Sequence, residues 1–249
     1  MEIQRFIALG AMGLEKQNVP LLLYTHYQTK GVGQRGSDWV SEFGMNLLMT
    51  VAFPLQKNKE YPWVGINKAL ATSVAFQLSE LIKSHVEIKW PNDIIYNHLK
   101  LGGLLLETTQ IGQKKYLLMG LGINVMQRDF PVSIRATSLW LAKYGADGSS
   151  TDIGSNAGLG SVDSLVAPLF EKLLITWKNP VQDSIRYDQH LYRKGHWVEL
   201  RDVKLDRVFK AKLLEVNAKG QISVQLETGE MAAFHHGEVR MLYRNKSNN

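Results

Sequence analysis

Four short apolar segments follow one another between residues 86 and 125, and their spacing limits the fold more than any other feature. They read VEIKW, DIIYN, KLGGLLLETT and KKYLLMGLGINV, with brief breaks between them. Connections this short join antiparallel strands, because parallel neighbours need a crossover of a dozen residues or more. The region therefore predicts an antiparallel sheet, with Pro91 in a turn rather than in a strand interior.

The first 190 residues interleave further strands with helices. Apolar residues recur at helical spacing from residue 65 to 84, which predicts an amphipathic helix. The other predicted elements are strands at 19–28 and 46–55, a glycine-containing loop at 29–39, a helix at 135–145, a Gly- and Ser-rich loop from 146, and a helix at 162–178 that Pro168 offsets or kinks. This mixture predicts an α+β core, in which a mixed or antiparallel sheet has flanking helices.

A different pattern begins near residue 193. Short strand-like segments alternate with turn signals such as Gly220 and Gly229, and helical periodicity is missing. Strands with brief turns and no helix are typical of a small β-barrel. We therefore expect a larger domain at 1–190 and a small barrel at 191–249.

The composition excludes several classes of protein. Hydrophobic residues are 45% and charged residues 21% of the 249, which is ordinary for a globular protein with a sizeable core. The absence of cysteine excludes disulfides and thiolate zinc sites. The sequence has neither an apolar run long enough for a membrane span nor a signal peptide pattern, so we expect a cytoplasmic protein with no membrane partner. The net charge of +6 is spread along the chain, as on a solvated surface.

The loop GVGQRG at 31–36 is the first candidate for ligand binding. Its glycines permit backbone conformations that free several amides for an anion, and Arg35 adds a fork of donors suited to phosphate oxygens. The loop matches neither a dinucleotide fingerprint nor a Walker loop. Trp39, just downstream, is either a core residue or a flat surface on which a base stacks.

The second candidate is the stretch from Glu87 to Glu107, where charged residues interrupt apolar strands. The ammonium groups of Lys89 and Lys100 either reach solvent from edge strands or share one anionic pocket. Asn92 and Asp93 either form a simple turn or point towards a nucleotide or a divalent cation.

Ordered motifs in these regions resemble those of the biotin–protein ligase family. They are QTKGVGQRGSDW at 28–39, KWPNDI at 89–94, KLGGLLLE at 100–107, GLGINV at 120–125 and ATSL at 136–139. The resemblance runs from Gln28 to Leu139, and the segment 220–242 resembles the terminal barrel of the family.

The resemblance implies a fold and an activity. The implied fold is the class II synthetase-like core of biotinyl and lipoyl transferases, followed by an SH3-like barrel. The implied enzyme is a biotin–carrier protein ligase, in which biotin and ATP give biotinyl-5'-AMP and a lysine of a biotin carboxyl carrier domain then takes the biotinyl group. ATP, biotin and Mg²⁺ are the implied ligands, and the carrier domain, of acetyl-CoA carboxylase or a similar enzyme, is the implied partner.

The resemblance also assigns roles to residues. Lys100 corresponds to a catalytic lysine that contacts both the carboxylate of biotin and the phosphate. Arg35 and Lys89 are expected to hold the phosphates of ATP, and Asp93 is expected to orient Mg²⁺ or the carrier lysine. The other expected biotin-binding residues are Gln28, Gly31, Val32, Gly33, Gln34, Gly103 and Gly120, and the other expected ATP-binding residues are Trp39, Asn92, Ile123 and Asn124.

Three departures from the family pattern bear on these expectations. Val32 stands where the family usually carries an arginine, so the glycine loop is one cation short. No Ser-Thr-Asn segment, which caps the biotin ring in the family, precedes Gln28. The residues before Gln28 are too few for the winged helix-turn-helix of some members, so we expect a short form that binds no DNA operator. The family contains monomers and sheet-to-sheet dimers, and a homodimer stays open here.

Two other functions also stay open. A lipoate ligase or octanoyl transferase shares the core fold and acts on a carrier lysine as well. A ligase core that has lost its activity would instead serve as a protein- or nucleic-acid-binding module.

Overall fold

A six-stranded sheet forms the centre of the computed structural model, which describes residues 18–33, 38–131, 134–145 and 159–242. Its strands are β1 Leu21–Thr25, β4 Asn46–Leu55, β5 Glu87–Lys89, β6 Asp93–Tyr96, β7 Leu99–Ile111 and β8 Lys114–Asn124. They lie in the order β1-β4-β8-β7-β6-β5, and all neighbours are antiparallel. The antiparallel sheet predicted for the region from 86 to 125 is confirmed.

Helices cover one face of this sheet. Those that the structure describes are α1 Trp63–Ile82, α2 Leu139–Tyr144, α3 Val166–Lys178 and α4 Pro180–Arg186, with 3-10 turns at Val162–Leu165 and Tyr187–Gln189. The left-handed conformation of Lys83, with a φ of 53°, ends α1. Pro168 lies in the first turn of α3, where its missing N–H would have no helical partner, so the helix keeps its predicted course.

The two faces of the central strands carry different residues. Along β4 and β8 the core-facing positions hold large apolar side chains, which pack in one cluster with those of α1: Leu47, Met49, Val51, Phe53, Leu117, Met119, Leu121 and Ile123. Because side chains alternate along a strand, Leu48, Thr50, Gly120 and Gly122 lie on the opposite face. We call this second face the outer face.

The predicted loop at 29–39 contains a small hairpin. Strand β2, Gly31–Val32, pairs with β3, Asp38–Trp39, and Gly31 lies opposite Trp39. The prediction of plain loop was wrong at these positions, because pairs of two residues are too short to give a periodic signal. The Gly- and Ser-rich loop predicted at 146–161 lies outside the described residues except for its last three.

The C-terminal segment forms a five-stranded antiparallel sheet, as predicted for a small barrel. Its strands are β9 Trp197–Asp202, β10 Val208–Val216, β11 Ile222–Leu226, β12 Met231–Phe234 and β13 Val239–Met241, in the order β12-β11-β10-β9-β13. Leu200, Leu213 and Val224 are buried in the same apolar cluster as the central sheet. The division of the chain at residue 190 stays a prediction.

Hydrogen bonds also join the barrel to helix α1 and to the turn between β5 and β6. The indole Nε1 of Trp90 donates to the carbonyl of Gly220 over 3.0 Å, and Lys68 Nζ donates to the carbonyl of Val216 over 2.9 Å. The turn that connects β5 to β6 is therefore held against the barrel by the hydrogen bond of Trp90. Within the described ranges no helix is long and apolar enough to cross a membrane.

Candidate functional site

An ion pair between Lys100 and Asp93 marks the candidate site. Lys100 Nζ lies 2.6 Å from Asp93 Oδ1, and the side chains are 37% and 35% exposed, so a ligand can reach both. The sheet register places Asp93 opposite Gly103. A Cβ on Gly103 would lie 3.4 Å from Asp93 Oδ1 and 3.6 Å from Lys100 Nζ. The missing side chain leaves room beside the pair.

The backbone of Lys100 is fixed by the segment that precedes α2. Its amide donates to the carbonyl of Arg135, and its carbonyl accepts from the amide of Thr137, each over 2.9 Å. The next residue, Ser138, caps α2 by accepting from the amide of Leu141. The ATSL motif thus holds the catalytic candidate Lys100 in position, which gives the motif a structural reason.

Two asparagines of the motifs donate hydrogen bonds to backbone carbonyls near Lys100. Asn124 Nδ2 donates to the carbonyl of Thr137 over 2.9 Å, and Asn92 Nδ2 donates to the carbonyl of Leu104. Both asparagines are buried. Their amide groups therefore fasten the strands around Lys100, and their expected contacts with ATP stay a prediction.

The Trp39 side chain packs on the outer face at Gly122. A Cβ on Gly122 would lie 2.7 Å from two atoms of the indole ring, so the ring occupies the place of a side chain. Lys100 Nζ lies 5.8 Å from the centroid of this ring, within range of a cation–π interaction. The indole Nε1 is buried without a hydrogen-bond partner among the described residues. Trp39 thus covers the sheet beside Lys100, and its indole N–H has no acceptor among the described residues.

Gly31 and Gln28 stand next to Trp39. A Cβ on Gly31 would lie 2.6 Å from the Trp39 carbonyl oxygen and 3.0 Å from Gln28 Oε1. Because a Cβ does not come this close to other atoms, the hairpin requires glycine at this position. Gln28, Gly31 and Trp39 therefore form one wall above the outer face.

Together these residues border a depression in the outer face, which we call the glycine trough. Gly103 and Gly122 lie opposite each other on β7 and β8, and Gly120 follows on the outer side of β8. The trough consists of this floor, the wall of Gln28, Gly31 and Trp39, and the Lys100–Asp93 pair at one end.

Lys89 adds a third charged group to this end. It pairs with Asp93 across β5 and β6. Burial lowers the pKa of Lys89 below the usual lysine value; the Asp93 carboxylate opposes this effect, and the Lys100 ammonium adds to it. Two cations and one carboxylate in a small volume give a net positive field, which suits anionic oxygens.

Some predicted site residues are not brought together in this way. The Ile123 side chain is fully buried in the core, on the face opposite the trough, because it alternates with Gly122 and Asn124 along β8. Arg35 and Gln34 fall outside the described residues. Val32 pairs with Asp38 through its backbone. The roles predicted for these residues, and for Gly33, stay predictions.

Gly122 was missed as a site residue. The signal was present in the sequence, since GLGINV contains two glycines in alternate strand positions. The sequence does not show that Trp39 contacts Gly122, because the Trp39 ring reaches Gly122 only in the folded chain.

Comparison with known proteins relates the region of the site to one family. The model of the biotin/lipoate A/B protein ligase family matches residues 3–124. A solved structure of biotin protein ligase from Aquifex aeolicus in complex with biotin and ATP is 25% identical, with a TM-score of 0.66, and the match covers 93% of this chain and 94% of that one. Over residues 3–124, this chain is similar to the biotin/lipoate A/B protein ligase family. The matched residues include Lys89, Asp93, Lys100 and the whole glycine trough.

Curated relatives show the same similarity. Human biotin–protein ligase is 25% identical over 233 residues, which are 91% of this chain and 31% of the human protein. The bifunctional ligase/repressor BirA of Escherichia coli is 33% identical over 109 residues, which are 43% of this chain and 34% of that protein. This chain thus spans about a third of these relatives, and the family members carry both ligase and repressor names.

Proposed function

We propose that this chain is a biotin–carrier protein ligase, which activates biotin with ATP and transfers it to a lysine of a biotin carboxyl carrier domain. The observation that carries the proposal is the Lys100–Asp93 pair at the end of the glycine trough. Joining a carboxylate to a phosphate brings negative oxygens together, so the site needs fixed positive charge and little water. The similar Aquifex aeolicus ligase, solved with biotin and ATP, supports these two substrates.

In the first step a carboxylate oxygen of biotin attacks the α-phosphorus of ATP. The bond between the α-phosphorus and the bridging oxygen breaks, and pyrophosphate leaves with its electrons. Lys100 would turn from Asp93 to the biotin carboxylate and the α-phosphate. Both are anionic, so each accepts a charge-assisted hydrogen bond from the exposed ammonium group. Lys89 and Arg35 would hold the remaining phosphates, and Trp39 would pack on the adenosine.

In the second step the amine of the carrier lysine attacks the acyl carbon of biotinyl-5'-AMP. The bond from the acyl carbon to the phosphate oxygen breaks, AMP leaves with its electrons, and the attacking nitrogen loses a proton to a nearby base. Asp93 would be released by Lys100 at this stage, and its carboxylate would accept a hydrogen bond from the incoming neutral amine and orient it. The pair would thus serve both steps with one exchange of partners.

We propose that Mg²⁺ enters bound to the phosphates of ATP, as is usual for this cation. Among the described residues no group of three or more His, Cys, Asp and Glu side chains is placed to hold a metal ion. Asp93 therefore offers one carboxylate at most. We place the reaction in the cytoplasm, in keeping with a chain that contains no cysteine.

The test is to incubate the protein with biotin, ATP, Mg²⁺ and a carrier domain. Mass spectrometry would measure both biotinyl-5'-AMP and the biotinylated carrier. We expect Lys100→Met to lower the rate of adenylate formation about 10²–10³-fold, the usual cost of one donor to a developing charge. Lys57→Met, which removes a lysine from an exposed loop, is the matched control and should keep the rate.

The same assay separates the other candidate functions. A wild-type protein that adenylates lipoate in preference to biotin would instead be a lipoate-type ligase, a function that the name of the family also contains. A wild-type protein that forms neither adenylate under saturating substrates would leave a binding module.

A further inference from the structure

The hydroxyl of Tyr187 is buried behind the candidate site, and neither step of the proposed reaction uses it. Tyr187 begins the 3-10 turn that follows α4, and its side chain is 1% exposed. Its hydroxyl donates to the carbonyl of Pro91 over 2.9 Å. Pro91 lies between β5 and β6, directly before Asn92 and Asp93. A residue 96 positions further along the chain thus contacts the turn that carries the site.

Packing alone does not explain this hydroxyl. Phenylalanine fills the same space and avoids the cost of removing a hydroxyl from water. Burial raises the pKa of Tyr187 well above the usual tyrosine value, and the charges of Asp188 and Asp93 add to this effect. The hydroxyl therefore keeps its proton at every working pH and stays a donor. The contribution of Asp93 also places its carboxylate within electrostatic range of the hydroxyl.

Tyr187 is itself held in place by α1 and by the barrel. Lys68 Nζ of α1 lies 5.2 Å from the centroid of the Tyr187 ring, within range of a cation–π interaction, and donates to the carbonyl of Val216 over 2.9 Å. The amide of Val216 donates to Asp188 Oδ1 over 3.2 Å. The residue after Tyr187 is therefore tied to β10, and the hydroxyl is a fixed point for the Pro91 carbonyl.

The backbone carries this constraint from Pro91 to Asp93. The residue between them, Asn92, exchanges two hydrogen bonds with Leu104: Asn92 Nδ2 donates to the Leu104 carbonyl, and the Asn92 carbonyl accepts from the Leu104 amide. Asp93 follows, with its Oδ1 2.6 Å from Lys100 Nζ. Because Pro91 and Asn92 are both held by hydrogen bonds, the backbone that enters Asp93 has little freedom.

We propose that Tyr187 is a positioning residue for the transfer step, in which its hydroxyl holds the turn so that the Asp93 carboxylate meets the amine of the carrier lysine. The inference rests on the proposed function and deepens it. The first step draws mainly on Lys100, whose backbone is fixed by the segment before α2. The second step needs Asp93 in place, and small errors in the position of a reacting group are costly. Loss of the hydroxyl should therefore slow the second step more than the first.

Tyr187→Phe removes one oxygen atom and keeps the buried ring. Transfer from preformed biotinyl-5'-AMP to a carrier domain would be measured in single turnovers, separately from adenylate formation with biotin and ATP. We expect the transfer rate at saturating carrier to fall about tenfold, as for the loss of one neutral hydrogen bond, and adenylate formation at neutral pH to stay within about twofold. A merely structural role would change neither rate once the folded fraction is known from circular dichroism.

Two further variants complete the test. Tyr61→Phe removes a hydroxyl that accepts from the amide of Gln56, away from the site, and should keep both rates. When Tyr187→Phe is combined with Asp93→Asn, transfer should be no slower than in Asp93→Asn alone, because the hydroxyl acts through that carboxylate. If Tyr187→Phe unfolds at the assay temperature, the same comparison is made at a lower temperature.

The pH profile of adenylate formation gives a readout that does not involve the carrier. Asp93 and Tyr192 raise the pKa of Lys89, whereas burial, Lys100 and Arg240 lower it. If the carboxylate of Asp93 is displaced, the pKa of Lys89 falls further. The alkaline decline in adenylate formation should then begin at lower pH in the variant without the hydroxyl, as it should in Asp93→Asn.

The outcomes separate the two proposals. A wild type that biotinylates the carrier, with a Tyr187→Phe variant whose pH profile is unchanged and whose two rates are unchanged or fall equally, overturns the role of Tyr187 and leaves the proposed function standing. A wild type that neither binds biotin in calorimetry nor activates it overturns both.

Discussion

The contact between Gly122 and Trp39 gives a sharp prediction for Gly122→Ala. The new Cβ would lie 2.7 Å from Cε2 and Cζ2 of Trp39 and 3.1 Å from Cη2. Carbon atoms in contact are about 3.5–4.0 Å apart, so the ring has to move by about 1 Å. Its own backbone gives little room, because the Trp39 carbonyl lies against Gly31 in the hairpin. Overpacking of this kind costs about 1–3 kcal/mol.

We expect Gly122→Ala to lower the free energy of unfolding by this amount, because the ring leaves the outer face. Urea unfolding followed by circular dichroism would measure the loss. The melting temperature should fall by about 2–4 °C for each kcal/mol in a chain of this size. The displaced ring should also raise the KM for ATP, since Trp39 is the expected surface for adenosine.

Gly120→Ala is the matched control for stability. It makes the same change two residues away on β8, but the nearest atoms to its Cβ would be those of Leu105, at 3.7 Å, which is ordinary contact. Its free energy of unfolding should therefore stay within about 0.5 kcal/mol of the wild type. If Gly122→Ala were equally stable, Trp39 would not lie on Gly122 as described, and the wall of the trough would have to be rebuilt.

Three further predictions concern the segment from Lys89 to Asp93. If the charged form of Lys89 holds phosphate, adenylate formation should decline as the pH rises through its lowered pKa, before an ordinary lysine titrates; Lys89→Arg should move the decline to higher pH. Asp93→Asn removes the carboxylate that raises the pKa of Lys89, so pH–rate profiles should show the decline at lower pH. An unchanged pH–rate profile would contradict the effect of Asp93 on Lys89. Trp90→Phe removes the donor to the Gly220 carbonyl, which should cost about 1 kcal/mol in urea unfolding and raise the KM for ATP; a change in neither would show that the barrel does not brace the turn.

The sequence predicts those parts of the fold whose signal is local. The long amphipathic helix, the ten residues of β4 and the antiparallel run from β5 to β8 follow from periodicity and from short connections. Helix α4, Pro180–Arg186, was missed because seven residues give less than two turns of any helical pattern.

The site could be predicted in part for a similar reason. Lys100 and Asp93 lie on strands joined by a tight turn, so their meeting follows from the hairpin alone. The partner of Gly122 depends on how the distant hairpin of Trp39 folds back over the sheet. The lowered pKa of Lys89 depends on burial, which tertiary packing creates.

The hydrogen bond from Trp90 to Gly220 also orders events during synthesis. The two residues are 130 positions apart in the chain. At the usual pace of translation, the ribosome adds the acceptor on the order of 10 s after the donor. A nascent chain thus carries the segment of Lys89 and Asp93 without this hydrogen bond until the first two strands of its last sheet have been made.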